Sequence, residues 1–380
     1  MSRTSSGPRP GPAGTSAGVT AALGRGDLCH REPEFAELLD RLRRTLPAVL
    51  GLPRHETVLV TGSGTAAAEA AVLAAVRPGR SVVVVVNGVY GARLAAIAAA
   101  HGIPVHEVAP PGPPEQAWTT AVDPAQVAAA LRAHPDADAV LCVQHETTTG
   151  LLNPVVDVAR VAHDAGVLLV LDAVSATANE APGQEAVAAD LVVGTANKGL
   201  HGLPGMAFVL LSERAVTRLP EVSPRGLYLD LAHHLACQRR GEVAFTPAVQ
   251  VCYALDQALA ELVAAGGAPA RIAEYQRRAA VVRPGFERLG LTVLVPPAWR
   301  SASVTTLRLP PGVTYPPLHD ALVRRGYVPY AGQGRLAGEH VRICTYGELP
   351  DGALLGLEGA LAEALAEALA EAGAGVRIPS

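Results

Sequence analysis

The chain has 380 residues, enough for two or three domains at about 150 residues each. It is 49% hydrophobic and 17% charged with a net charge of −4, which excludes a disordered chain and argues against a protein built to grip nucleic acid. Aromatic residues make up 4%, too few for base-stacking platforms.

Residues 1–22 begin with Ser, Gly, Pro and Thr without periodicity and are expected to form an irregular N-terminal arm. The arm has no apolar core of a secretory signal, and no apolar run reaches the ~20 residues that span a bilayer. Five cysteines are scattered without a CxxC pair, which fits a reducing, cytoplasmic setting. The twelve histidines show no ligand spacing, so no metal is expected.

From residue 57 a regular alternation begins. Apolar runs at 57–62, 81–87, 104–109, 139–144, 167–174, 191–197 and 206–212 are mostly separated by helical patterns. Continuous apolar strands alternating with helices predict an α/β domain, residues 23–265, with a seven-stranded, mostly parallel sheet covered on both faces. After residue 265 the pattern changes to short strands at 291–295, 303–309 and 341–347, a helix at 318–326 and a long Ala/Leu/Glu helix at 351–373. These predict a smaller C-terminal α+β domain, residues 266–380. Leu354, Leu357, Leu361 and Leu365 recur at helical spacing and mark the last helix as a packing helix.

In open α/β sheets, ligands sit at the carboxyl ends of the strands. The first strand runs into Gly62-Ser63-Gly64-Thr65 and a helix, a turn suited to an anion, although strand–glycine–helix turns are common. The strand at 167–174 ends in Asp172, followed by Ser175. A buried strand-end Asp is costly unless paired; it is either a helix cap or a holder of a cationic group. The strand at 191–197 ends beside Lys198, the one lysine among 31 basic residues. Where charge alone is wanted this chain uses Arg, and only a Lys amine forms a Schiff base. An anion turn, a buried Asp and one Lys together meet the needs of pyridoxal phosphate: a phosphate cradle, a pyridinium partner and an amine.

The segments GSGTAAAEA (62–70), NGVYGAR (87–93), HETTTGLLNP (145–154), LDAVSA (171–176), TANKGLHGLPG (195–205) and VRICTYG (341–347), with PGPAGTS (10–16) in the arm, resemble the class V, fold-type I pyridoxal-phosphate aminotransferases. ETTTG followed by LNP is similar to the branch that transfers an amine from 2-aminoethylphosphonate to pyruvate. The resemblance implies that Lys198 carries the cofactor as a Schiff base and that Asp172 holds the ring nitrogen. It assigns Ser63, Gly64 and Thr65 to the phosphate, Tyr90 to ring stacking and Thr147 to the ring's phenolic oxygen, with Ser175 also at the cofactor. It makes Arg342 the clamp for the substrate anion, and Thr246 a phosphate contact lent by a neighbouring subunit, hence a homodimer with shared active sites.

The chain departs from the family pattern after the arginine, at Ile343-Cys344-Thr345-Tyr346, after the lysine, at Gly199-Leu200-His201, and at Val243-Ala244. These departures bear on the amine donor more than on the cofactor. The implied reaction is 2-aminoethylphosphonate, or a close phosphonate amine, with pyruvate, giving phosphonoacetaldehyde and L-alanine. The alternative is an alanine– or serine–glyoxylate reaction on a carboxylate amine. A cysteine desulfurase is disfavoured by Asn197 before the lysine and by Cys344 inside a predicted strand. A non-catalytic protein on the same scaffold is disfavoured by the complete set Ser63, Asp172, Lys198 and Arg342.

Overall fold

The computed structural model describes residues 13–349 and 352–373. Pro10, Gly11 and Pro12 of the arm motif lie outside the described residues.

Seven strands build the large sheet: β1 (Glu56–Gly62), β2 (Ser81–Val85), β3 (Val105–Val108), β4 (Ala137–Val143), β7 (Leu168–Asp172), β8 (Leu191–Thr195) and β9 (Gly205–Leu211). A small hairpin, β5 (His145–Glu146) and β6 (Leu151–Leu152), stands apart from it. The order is β1-β9-β8-β7-β4-β2-β3, with β9 antiparallel to both its neighbours and the remaining pairs parallel. The expected seven strands and mostly parallel sheet are therefore present. Burial explains the continuous valine runs. One face packs Val83, Val140 and Leu169 into one core, and the other packs Val82, Val84 and Val170 into a second. Register sets Val143 beside Asp172 and Asp172 beside Val193, so the carboxyl ends of β4, β7 and β8 meet at one edge.

The expected irregular arm contains a helix, α1 (Ala17–Ala22). Ser16 starts it, its hydroxyl accepting the Val19 amide at 3.0 Å, and Val19 packs on Ala254 and Ala258. Composition hid this helix, because one cap and one buried contact suffice to order a single turn.

The smaller sheet is antiparallel, in the order β10-β11-β13-β12, from β10 (Thr292–Val293), β11 (Val304–Arg308), β12 (Tyr330–Ala331) and β13 (His340–Cys344). The expected strand at 291–295 shortens to two residues because Pro296 and Pro297 follow and begin a 3-10 turn. The last helix is Leu357–Glu371 rather than 351–373, with Leu361 and Leu365 facing a core of Phe286, Leu307 and Leu318. Leu354 precedes this helix in a turn and packs on the same core. Gly266, at φ 94°, turns the chain between helices Val249–Ala264 and Gly267–Arg288, the second of which reaches the small core.

Candidate active site

β1 delivers Ser63 to the N-cap of helix α3, whose residues are Gly64–Ala75 and whose Ala66 amide bonds the Ser63 hydroxyl at 3.3 Å. (The helix between, Pro33–Val49, is α2.) A Cβ on Gly64 would stand 2.9 Å from a Val174 methyl, so the turn presses on the loop after Asp172. Glycine there brings the helix N-terminus, an anion site, against the strand edge.

Helix α4 (Val89–Ala100) follows the carboxyl end of β2, the strand beside β4, and carries Tyr90. The Arg93 guanidinium lies 4.8 Å from the Tyr90 ring centroid and reaches the Thr65 hydroxyl at 3.4 Å, tying the stacking ring to the phosphate-type turn. Beneath them lies a residue whose role sequence reasoning missed. Glu146 is fully buried and accepts the Tyr90 and Gly91 amides at 3.1 and 2.7 Å, capping α4 from another segment. Burial pushes its carboxyl up to about 7 against the pull of those two amides. Gly88 is the local signal for it, because a Cβ there would sit 2.3 Å from the Glu146 carboxyl.

Asp172 ends β7 and accepts the Val174 amide at 3.0 Å. Burial pushes its carboxyl up to about 6, with Arg93 and Lys198 pulling the other way. A carboxylate in that position gains most from a cationic partner. Lys198 stands in the turn after β8. Burial lowers its amine pKa, with Cys344 and Asp172 opposing and Arg342 reinforcing the shift. A depressed amine is the state that attacks a carbonyl. Its Nζ lies 3.5 Å from the Tyr346 hydroxyl, a second contact that sequence reasoning did not foresee.

Thr147 is 4% exposed, and its hydroxyl has no partner among the described residues. Such an orphan is costly unless a ligand oxygen or nitrogen completes it. Its carbonyl accepts Arg342 Nη1 at 3.3 Å. Arg342 sits on β13 between Thr306 and Tyr330, 4% exposed, and also donates from Nε to the Ala331 carbonyl at 3.0 Å. The Ser175 carbonyl accepts Asn179 Nδ2 at 2.8 Å. The hydrogen bonds and electrostatic couplings just given link Thr65, Tyr90, Thr147, Asp172, Lys198 and Arg342 into one site. Thr246 is apart. It is exposed and lines a surface cavity of about 840 Å³ with Arg31 and Phe245.

A further residue fastens the two sheets together. Glu180 is fully buried and accepts the Ala302 and Ser303 amides at 2.8 and 3.0 Å and both the Ser301 and Ser303 hydroxyls. This joins the loop after Asp172 to the start of β11. Away from the strand carboxyl ends, His106, His134 and Asp136 bring ligand-type atoms within 4.8 Å of one another. The two imidazoles are stacked at 3.4 Å, which sets their lone pairs side by side rather than at one point. Among the described residues no helix is long and apolar enough to cross a membrane.

A phosphate-type helix turn, a stacking aromatic, a strand-end carboxylate and a buried lysine at the edge of this sheet define a fold-type I pyridoxal-phosphate-dependent transferase. The class V aminotransferase family model matches residues 17–320, and the chain belongs to that family. A 2-aminoethylphosphonate–pyruvate transaminase of Syntrophobacter fumaroxidans is 32% identical, over 90% of this chain and 91% of its own length. That of Lactiplantibacillus plantarum is 29% identical over 85% and 88%. Among solved structures, an aspartate aminotransferase of subgroup IV from Thermus thermophilus superposes with a TM-score of 0.85 at 31% identity, covering 95% of this chain and 99% of its own. An alanine–glyoxylate aminotransferase from Nostoc gives 0.86 at 27% identity, covering 94% of each. The protein is a pyridoxal-phosphate-dependent aminotransferase.

Proposed function

We propose that this aminotransferase moves the amino group of 2-aminoethylphosphonate, or a close phosphonate amine, to pyruvate, releasing phosphonoacetaldehyde and L-alanine. The observation that carries this reading is Arg342, a buried guanidinium anchored on the Thr147 and Ala331 carbonyls and coupled electrostatically to Lys198. A fork of N–H donors suits a phosphonate and a carboxylate alike, so one arginine serves both substrates in turn. The activity of the two phosphonate transaminases that resemble this chain supports the phosphonate donor.

The residues fit pyridoxal phosphate: the Thr147 hydroxyl lacks a partner among the described residues, and the glycine turn before α3 is built for an anion. Ser63, Gly64 and Thr65 would hold its phosphate, Tyr90 would cover its ring, and Ser175 would line the same edge. Bound there, the cofactor supplies an electron sink for the carbon that loses its proton. Asp172 keeps a proton on the ring nitrogen by staying charged beside it. Lys198 would hold the cofactor, and its amine, once freed, would take the proton from the substrate's amine-bearing carbon and deliver it to the far side of the nitrogen.

We further propose a cytoplasmic homodimer in which Thr246 reaches the neighbouring subunit's phosphate. Its exposure, and the free state of all five cysteines, support this. Alanine formation from pyruvate, measured with 2-aminoethylphosphonate, serine and aspartate as donors, tests the reading. The phosphonate should give the highest kcat/KM. A higher value for a carboxylate amine, or preference for glyoxylate over pyruvate as acceptor, contradicts it.

A further inference from the structure

Two of the segments that depart from the family pattern, Gly199-Leu200-His201 and Cys344-Thr345-Tyr346, meet around the lysine. Tyr346 follows β13 and is 1% exposed, with its hydroxyl 3.5 Å from Lys198 Nζ. Burial raises its phenol well above the usual range, so it stays protonated and can donate to a neutral amine or accept from a charged one. Its ring stands edge-on to Tyr275 at 6.5 Å.

Tyr275 is the link between the two segments. Its hydroxyl accepts the Gly347 amide at 3.3 Å and lies 2.5 Å from His201 Nε2. Burial, with Arg271 and Arg278 nearby, pushes the His201 imidazole down to about 3, so the ring is neutral and Nε2 accepts the Tyr275 proton. The His201 amide in turn bonds the Lys198 carbonyl at 3.0 Å. His201 adopts φ 60°, a left-handed conformation that a side chain resists and that persists where surrounding contacts over-determine it. The clamp thus pins the far end of the lysine turn to the residue next to Tyr346. The same turn is held by Arg271, whose Nη1 donates to the Gly199 carbonyl at 2.8 Å. On the other side, Arg278 Nη1 donates to the Thr345 and Gly347 carbonyls at 3.1 and 3.0 Å.

We propose that Tyr346 is a positioning residue for Lys198: its hydroxyl holds the lysine amine whenever that amine is not joined to the cofactor, at a distance set by the Tyr275–His201 clamp. Holding the amine in one place lets it act as a base on a defined carbon rather than sweep the cleft. The inference rests on the reading that Lys198 carries the cofactor.

Tyr346→Phe keeps the ring and removes only the hydroxyl. In apoprotein, acylation by an amine-selective reagent reads Lys198 alone, since the sequence has no other lysine and peptide mapping separates the N-terminus. The variant should be acylated several-fold faster, because the phenol no longer engages the lone pair or holds a proton on the amine. In holoenzyme, kcat should fall about tenfold, the worth of one lost hydrogen bond, while KM for both substrates stays within about twofold. Tyr275→Phe, which leaves Tyr346 in place, should move both readouts in the same direction by less. An acylation rate or a kcat at the wild-type value in Tyr346→Phe overturns the inference. Borohydride reduction separates the two failures. If wild-type holoenzyme does not join its cofactor to Lys198, the underlying reading fails; if it does and Tyr346→Phe behaves as wild type, only the positioning role fails.

Discussion

Glu146→Gln tests whether a buried carboxylate holds the helix that presents Tyr90. The wild-type carboxyl is fully buried, accepts two amides at the start of α4, and is pushed from an ordinary 4.5 up to about 7. A carboxyl raised in the folded state binds more protons folded than unfolded across this window. Its contribution to stability is therefore fully present below pH 4.5 and is lost as pH rises through about 7. At ~1.4 kcal/mol per pKa unit, ionising Glu146 costs the fold on the order of 3 kcal/mol. Glutamine keeps one acceptor and the side-chain volume but cannot ionise. Urea denaturation of apoprotein, wild type and variant, at steps from pH 4.5 to 8 gives a difference curve from which titrations common to both cancel. The wild type should lose ~3 kcal/mol relative to Glu146→Gln between pH 4.5 and pH 8. A flat difference curve refutes the reasoning and means that Glu146 titrates folded as it does unfolded, its charge adequately paired.

Asp172→Asn should retain the cofactor through Lys198 and the phosphate turn, while turnover falls about 10- to 1000-fold, the effect of losing a charge partner that shifts a pKa by ~1–3 units. Near-normal turnover, measured as alanine formed, would show that another group holds the ring nitrogen. Arg342→Ala should weaken the phosphonate donor and pyruvate together by roughly tenfold to a hundredfold in apparent KM, with Arg342→Lys recovering only part and the cofactor absorbance unchanged. Gly199→Ala places a Cβ 2.2 Å from the Thr177 carbonyl, so the lysine turn must shift. We expect a loss of about 1–3 kcal/mol in thermal unfolding and a larger proportional loss of kcat.

The strands and the strand-end residues were legible because burial on both faces leaves an unmistakable apolar run, against which Asp172 stands out. Lys198 stood out by substitution chemistry, in a chain that otherwise uses arginine. Residues whose roles depend on distant partners were not legible. Glu180 meets Ser301 across 121 residues, and Glu146 caps a helix that begins 57 residues earlier at Val89, so nothing in the sequence around either glutamate announces its role, and Gly88 betrays Glu146 only once the fold places the two together. Tyr346 reads as an ordinary core aromatic until the small sheet brings β13 beside the lysine turn. The arm's helix was lost in a low-complexity composition, and Thr246 is exposed on this chain, where the role proposed for it needs a second subunit.

The most direct test of the whole account is to reduce the holoenzyme with borohydride and map the peptides by mass spectrometry. The cofactor's mass should appear on the peptide carrying Lys198, and Lys198→Arg should remain folded, lose that label and lose transamination, because arginine keeps the charge but forms no imine. A label on any other residue, or turnover by Lys198→Arg, would contradict the assignment on which the cofactor and substrate roles described here depend.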